Sequence, residues 1–342
     1  MKGECMGEVL QRQYQIMHIR GMLIFSLILI CLTLPVHVRA EEQDEDIILG
    51  SRQEFYREVS KQILEHERSR IYVTDVGTLG NDMQAVLDGY YYYYDAEHPL
   101  ESGSYLGYYL KGFNLNWIEG GRYAGRHNCQ IEVELEFKYA KEKLDQYFAH
   151  MHTVAMKLKK KSDYKSVKAA HDYVIRKYDY DDQLVSRIDY DGYRTGKMVC
   201  LGYCMAMYYL LSDMGIPSRI VLGTSDDVIK DTDHAWNVVK VDGKWYNLDA
   251  TWDDKGALSP PVYTYFLKND SDFYKHTREG YYDYDDDMAM TSYPMPDYRY
   301  IKFLVLIGIV TGIAGARFFY MKRKQKQDRM KQIVIVEDDI TI

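Results

Sequence analysis

The chain has 342 residues, 46 % of them hydrophobic, with a formal net charge of −8 and 51 acidic against 43 basic side chains. That length can bury a full core and allows one to three domains of about 100–200 residues each, which excludes a small disulfide-stapled scaffold. No global basic field exists to gather polyanions, so nucleic acid is not an expected partner.

Tyrosine dominates the aromatic content, with 34 Tyr against 10 Phe and 4 Trp, including the run Tyr90 to Tyr94 and the group Tyr281, Tyr282 and Tyr284. The expected role is amphipathic packing at surfaces and in sheets, rather than a platform for aromatic or carbohydrate ligands.

At the N-terminus, Met22 to Leu34 is an apolar run preceded by Arg12 and Arg20 and followed by Pro35 and Val38-Arg39-Ala40. This pattern predicts a secretory signal over residues 1–40, cleaved after Ala40, or else an uncleaved anchor. Three cysteines then remain, Cys129, Cys200 and Cys204, so at least one thiol has no partner within the chain.

Residues 41–162 read as an N-terminal α/β region, entered by the acidic linker Glu41 to Asp46. Gln53 to Arg68 is an amphipathic helix with Phe55, Val59, Ile63 and Leu64 on one side. Residues 77–125 are rich in Gly and Tyr and suggest loops and short strands. In Gln130 to Lys138, Ile131, Val133, Leu135 and Phe137 alternate with polar residues, the period of a strand covered on one face. Helices follow at Lys141 to Leu158 and at about Tyr164 to Tyr178, the second entered through Ser162-Asp163.

Residues 163–295 carry the chemistry. The run from Cys200 to Met214 is a helix that stops at Gly215-Ile216-Pro217, with Cys200 in its first turn. There the unpaired N–H groups and the positive dipole end favour a thiolate. Gly202 leaves room for a backbone or substrate to approach. By itself a cysteine in an apolar helix is more often packing. A hairpin follows: Ala235 to Val241, the turn Asp242-Gly243, and Lys244 to Ala250. In that register Val241 faces Lys244, Asp249 falls opposite Trp236, and His234 is the diagonal neighbour of Asp249, about 7–8 Å away along the backbone. His234, Trp236, Val238, Trp245, Asn247 and Asp249 share one face, the less apolar of the two. Thiol, imidazole and carboxylate together meet the requirements of an activated nucleophile.

The stretches Val199-Cys200-Leu201-Gly202-Tyr203, Gly215-Ile216-Pro217-Ser218-Arg219 with Gly223, His234-Ala235-Trp236-Asn237, and Gly243-Lys244 through Asp253-Asp254 resemble the transglutaminase-like superfamily of papain-type cysteine enzymes, in its bacterial secreted branch. Tyr265-Phe266-Leu267-Lys268 with Asp272-Phe273 and His276 resembles the segment that closes such domains. The resemblance implies an α+β cysteine-proteinase fold in which a Cys-bearing helix packs on an antiparallel sheet carrying His and Asp. It implies a catalytic triad of Cys200, His234 and Asp249, with thioester chemistry on an amide of a protein or cell-wall peptide. The backbone N–H of Cys200 is a candidate oxyanion donor, and Trp236 a candidate wall of the substrate site. Cys204 departs from the motif, where a small residue usually stands.

Beyond the catalytic region, Asp283 to Asp287 reads as a solvated linker. Residues 301–321 read as a transmembrane helix, and the basic residues from Lys322 onward as a cytoplasmic tail over 322–342. The domain is therefore expected on the extracytoplasmic side of a cell membrane, tethered by its C-terminal helix. No phosphate-cradling glycine motif is found, and no cofactor or metal is expected. Two other readings compete with the enzyme. One is a catalytically silent module that keeps the fold for binding or assembly. The other is a zinc site from Cys129, Cys200, Cys204 and His234, which lacks the paired spacing of common zinc modules.

Overall fold

The structure is a computed structural model that describes residues 47–338, apart from 76–78, 80–81, 119–121, 124–125, 227–231, 257–258, 280–283 and 296–298. The expected signal segment and acidic linker lie outside the described residues, as does the side chain of Cys129. The chain divides into two compact units, one of residues 1–90 with 112–136 and one of residues 91–111 with 137–342. Residues 91–111 and 137–162 thus belong with the Cys200 unit rather than with an N-terminal region ending at 162.

In the first unit, strand β1 (Ile47–Leu49) pairs in parallel with β2 (Ser69–Asp75), with helix α1 (Arg52–Glu65) between them. The Ser51 side chain caps α1 by accepting from the Glu54 N–H, and His66 ends it in the left-handed region at φ 62°. Phe55, Val59 and Ile63 are buried, whereas Leu64, expected on the same side, is 38 % exposed. Helix α2 (Met83–Tyr92) leads on toward β3 (Leu110–Ile118). Strand β4 (Arg126–Phe137) lies between β2 and β3. The alternation expected there is present: Ile131, Val133 and Leu135 are buried, Glu134 and Glu136 exposed.

The second unit is built around one helix. Helices α3 (Lys141–Leu158), α4 (Asp163–Lys177) and α5 (Asp189–Thr195) pack against α6 (Cys200–Asp213). The other side of α6 meets a four-stranded antiparallel sheet of order β7-β6-β5-β8, formed by β5 (Ser218–Ser225), β6 (Thr232–Val241), β7 (Lys244–Leu248) and β8 (His276–Arg278). Gly202 through Leu211 are all buried, so α6 has no solvent face and reads as uniformly apolar. The transglutaminase-like arrangement of a Cys-bearing helix on an antiparallel sheet is present.

The hairpin register is the one the Asp242-Gly243 turn dictates, with Val241 opposite Lys244 and Asn237 opposite Leu248. Strand β7 stops one residue short of Asp249, which instead starts the short helix α7 (Ala250–Asp253). Both faces of the hairpin are buried. The face that reads as less apolar carries Trp236, Val238 and Trp245, which pack with Tyr265, Phe273 and Tyr284. The segment expected to be a solvated linker therefore closes the core: Tyr284 is 2 % exposed, and the Ala289 N–H donates to the Trp245 carbonyl.

The chain ends in α8 (Arg299–Asp338), whose stretch Leu304–Arg329 has a mean hydropathy of 1.8 and is long and apolar enough to cross a membrane. The helix runs on through the basic residues, so the expected tail is helical to Asp338.

Many tyrosines are core residues. Tyr105, Tyr109, Tyr147, Tyr178, Tyr203 and Tyr208 are all at most 1 % exposed. Two of them serve Asp189, itself fully buried: Tyr109 Oη donates to Oδ1 at 2.6 Å and Tyr105 Oη to Oδ2 at 3.0 Å. Burial raises this carboxyl and the tyrosine hydrogen bonds pull it partly back, leaving it at about 6. The native state then holds the Asp189 proton more tightly than the unfolded chain, whose Asp titrates near ~3.9. This contribution favours folding at low pH and is lost as pH rises through about 6. Measured as thermal unfolding at pH 7.5 and pH 5, the wild type is expected to gain about 1.4 kcal/mol relative to Asp189→Asn on acidification. A difference that does not change with pH contradicts this account.

Candidate active site

Cys200 is the first residue of α6 and is half-buried. The Tyr203 N–H returns to the Val199 carbonyl, so the N–H groups of Cys200, Leu201 and Gly202 have no acceptor within the helix. The space beside Gly202 is taken by Met198, whose Cβ would lie 2.7 Å from an added Cβ; it is a packing contact rather than an approach for substrate. Two bonds fix the helix. Asn237 Nδ2 donates to the Cys204 carbonyl at 3.1 Å, joining α6 to β6, and Tyr203 Oη donates to Asp254 Oδ2 at 2.6 Å, joining it to the end of α7. Cys204, one turn below Cys200, is buried, and burial pushes its thiol well up.

His234 stands on β6 opposite Gly223 and is 8 % exposed. Its Nε2 lies 2.8 Å from Asp249 Oδ2, which leaves Nδ1 for the thiol. Asp249 is fully buried and caps α7: Oδ1 accepts from the N–H groups of Thr251 at 2.8 Å and Trp252 at 3.1 Å. Its own N–H donates to the Tyr265 carbonyl at 3.0 Å. Burial alone would favour a neutral imidazole, but the charge and hydrogen bond of Asp249, followed by Cys200, outweigh it and push His234 up to about 10. Burial likewise raises the Asp249 carboxyl, but His234 and then His276 more than reverse this and hold it well below the usual range.

The pair opens on a cleft of about 520 Å³ lined by Cys200, His234, Tyr180, Trp252, Lys255 and Lys275 among others, a volume in the range of small-molecule sites. Tyr180 reaches it because Asp179–Tyr180 pairs in parallel with Lys197–Met198, just ahead of α6. Trp236 does not line the cleft. It is 1 % exposed and packs in the core against Phe273, so the expected substrate wall is a core residue; Trp252, whose ring centroid is 5.6 Å from that of His234, stands at the wall instead.

The structure thus brings together Cys200, His234 and Asp249 and adds His276, which sequence reasoning did not assign to the site. His276 Nε2 lies 3.0 Å from the same Asp249 oxygen. Its strand has three residues, too few for a periodic signal. Ligand-capable atoms of His234, Asp249 and His276 lie within 4.8 Å of one another. The 2.8 and 3.0 Å separations are hydrogen-bond spacings, shorter than the ~3.3 Å between ligands on a tetrahedral zinc with ~2.0 Å bonds. Of the alternative zinc set, Cys204 is buried within α6 and the Cys129 side chain lies outside the described residues.

Residues 152–250 match the model of the transglutaminase-like superfamily. No curated protein matches the chain significantly. Among solved structures, the chain is similar to a candidate cysteine protease from Cytophaga hutchinsonii, with 13 % identity, a TM-score of 0.28, and coverage of 41 % of this chain and 62 % of that one. It is similar to a TGase, with 15 % identity, a TM-score of 0.29, and coverage of 61 % and 59 %. A third is the periplasmic domain of TgpA from Pseudomonas aeruginosa bound to ethylmercury, with 15 % identity, a TM-score of 0.27, and coverage of 42 % and 66 %. The chain spans less than two thirds of each of these.

Asp249→Asn removes the charge that raises His234 and leaves the burial that opposes it. In the variant, with only Cys200 left to raise it, the His234 imidazolium is expected to lose its proton well below the value of about 10 in the wild type. Titration of the His234 ring by NMR checks this; an unmoved midpoint contradicts the electrostatic account.

Proposed function

We propose that the chain, whose residues 152–250 match the transglutaminase-like superfamily, is a membrane-tethered thiol enzyme using Cys200, His234 and Asp249 for acyl transfer or hydrolysis at amide bonds. The observation that carries the proposal is the buried His234, bound through Nε2 to Asp249 at 2.8 Å, lining one cleft with a half-buried thiol at a helix start.

In this reading the Cys200 proton passes to His234, and the sulfur attacks the carbon of a substrate carboxamide. The N–H of Cys200 donates to the oxyanion that forms. On collapse the C–N bond breaks, the leaving amine takes its proton from His234, and a thioester remains. An amine or a water then attacks the thioester, gives its proton to His234, and the released sulfur recovers it. Asp249 keeps the imidazole in the tautomer and orientation that both steps need. The substrate we propose is a protein or a cell-wall peptide on the outer side of the membrane, with α8 as the anchor. The length and apolar character of Leu304–Arg329 support the anchor.

The test uses the full chain in detergent. Cys200 is expected to react with iodoacetamide at pH 6.5 at least about tenfold faster than a free thiol, and His234→Ala to lower that rate by about 10²-fold or more. Cys200→Ala should abolish both labelling and turnover of glutamine-containing peptides. Intact-mass measurement follows the adduct. A folded chain whose Cys200 labels no faster than free cysteine refutes the enzyme and leaves the binding module.

A further inference from the structure

We propose that His276 is a positioning residue for the Cys200–His234 pair, acting through the carboxylate of Asp249; the inference rests on the thiol-enzyme reading above. A carboxylate offers about four lone-pair directions. In Asp249 each is addressed: Oδ1 by the N–H groups of Thr251 and Trp252, Oδ2 by Nε2 of His234 at 2.8 Å and Nε2 of His276 at 3.0 Å. The two backbone donors hold one oxygen. They leave the plane of the group free to tilt about its long axis unless the second oxygen is also tied from outside the reacting pair. His276 supplies that tie.

The ring is held for the task. Its Nδ1 lies 3.1 Å from the Tyr274 carbonyl, so each ring nitrogen faces an acceptor. Phe273 stacks on it with centroids 4.0 Å apart, and Trp252 approaches at 4.4 Å. Strand β8 brings it in, with His276 paired to Ser225 and Arg278 to Gly223. A Cβ at Gly223 would meet the Thr277 carbonyl oxygen at 2.2 Å, so glycine at this position is what lets β8 lie close enough. The His276 side chain is 1 % exposed and is not among the residues lining the cleft. It therefore touches the cleft indirectly, by its hydrogen bond to Asp249 and by ring packing on His234 and Trp252, and only the first of these addresses the carboxylate.

A double-mutant cycle on the full chain tests this, read as the rate of Cys200 labelling and as kcat and KM on a glutamine-containing peptide, with thermal unfolding followed in parallel. His276→Ala is expected to lower the labelling rate and kcat about tenfold with KM little changed. His276→Gln, which can still donate one N–H to Asp249, should recover most of the loss. In an Asp249→Asn background, His276→Ala should cost less than about twofold more, because the route of its action is already gone. Equal fold-losses in both backgrounds, or no rescue by glutamine, would show a merely structural role and overturn the proposal. About one zinc per wild-type chain that disappears in His276→Ala would overturn it in favour of a metal site. A fast wild-type thiol indifferent to His276 overturns this inference alone, whereas a wild-type thiol no faster than free cysteine removes the enzyme reading and this inference together.

Discussion

The carboxylate of Asp249 is the constraint on which the rest of the site depends. It follows directly on a strand, caps a helix and holds two imidazoles, all without access to water. A charge in such a place is tolerated only when every lone pair is met, and here two backbone N–H groups and two ring nitrogens meet them. The turn out of β7 and the rotamer of His234 follow from that requirement. So does the approach of β8. The backbone bond from Asp249 to the Tyr265 carbonyl, and that from the Tyr265 N–H to Asp253 Oδ1 at 3.0 Å, tie the same point to the segment that closes the domain.

Around this point the packing is unusual in its polarity. A helix with no solvent face would normally carry aliphatic side chains all round, but α6 itself carries tyrosines whose hydroxyls find specific acceptors on its neighbours. Tyr203 reaches Asp254, Tyr208 the Pro99 carbonyl, and Tyr209 the Phe148 carbonyl. A buried hydroxyl stabilises a structure only where its partner is in place, so these bonds select one orientation of the helix among the many that apolar contact alone would permit. Position of the thiol along and around the helix axis is set in the same way, because Asn237 holds the Cys204 carbonyl one turn beyond Cys200.

Legibility in the sequence followed the range of the interaction. The helix over Lys141–Leu158 and the hairpin register are local, the first from periodicity and the second from a two-residue turn, and both are found as expected. Cys200, His234 and Asp249 lie on elements whose order and spacing resemble a known core, which made their meeting foreseeable. Alternation along a strand says which residues share a face, not what covers it, so the place of Trp236 in a cluster with Tyr265, Phe273 and Tyr284 is not legible from its own strand. His276 falls in the stretch that resembles a closing segment, but its partner is not legible there, since its contact with Asp249 depends on a three-residue strand and on the absence of a side chain at Gly223. The tyrosines around Asp189 look like amphipathic packing in the sequence because the acceptor that justifies burying them is distant along the chain.

The hairpin also sets an order of assembly. His234 and Asp249 are joined by a short, self-contained turn, the kind of contact that closes quickly and at small entropic cost. Cys200 reaches them only after α6 has been enclosed between three helices and a sheet, which requires most of the second unit. A partly folded chain can therefore hold the His234 ring and the Asp249 carboxylate together while the Cys200 thiol is still apart from them. The Cys200 thiol and the His234 ring share one cleft only when the second unit is closed around α6, so a loss of packing far from Cys200 separates them while leaving His234 and Asp249 joined.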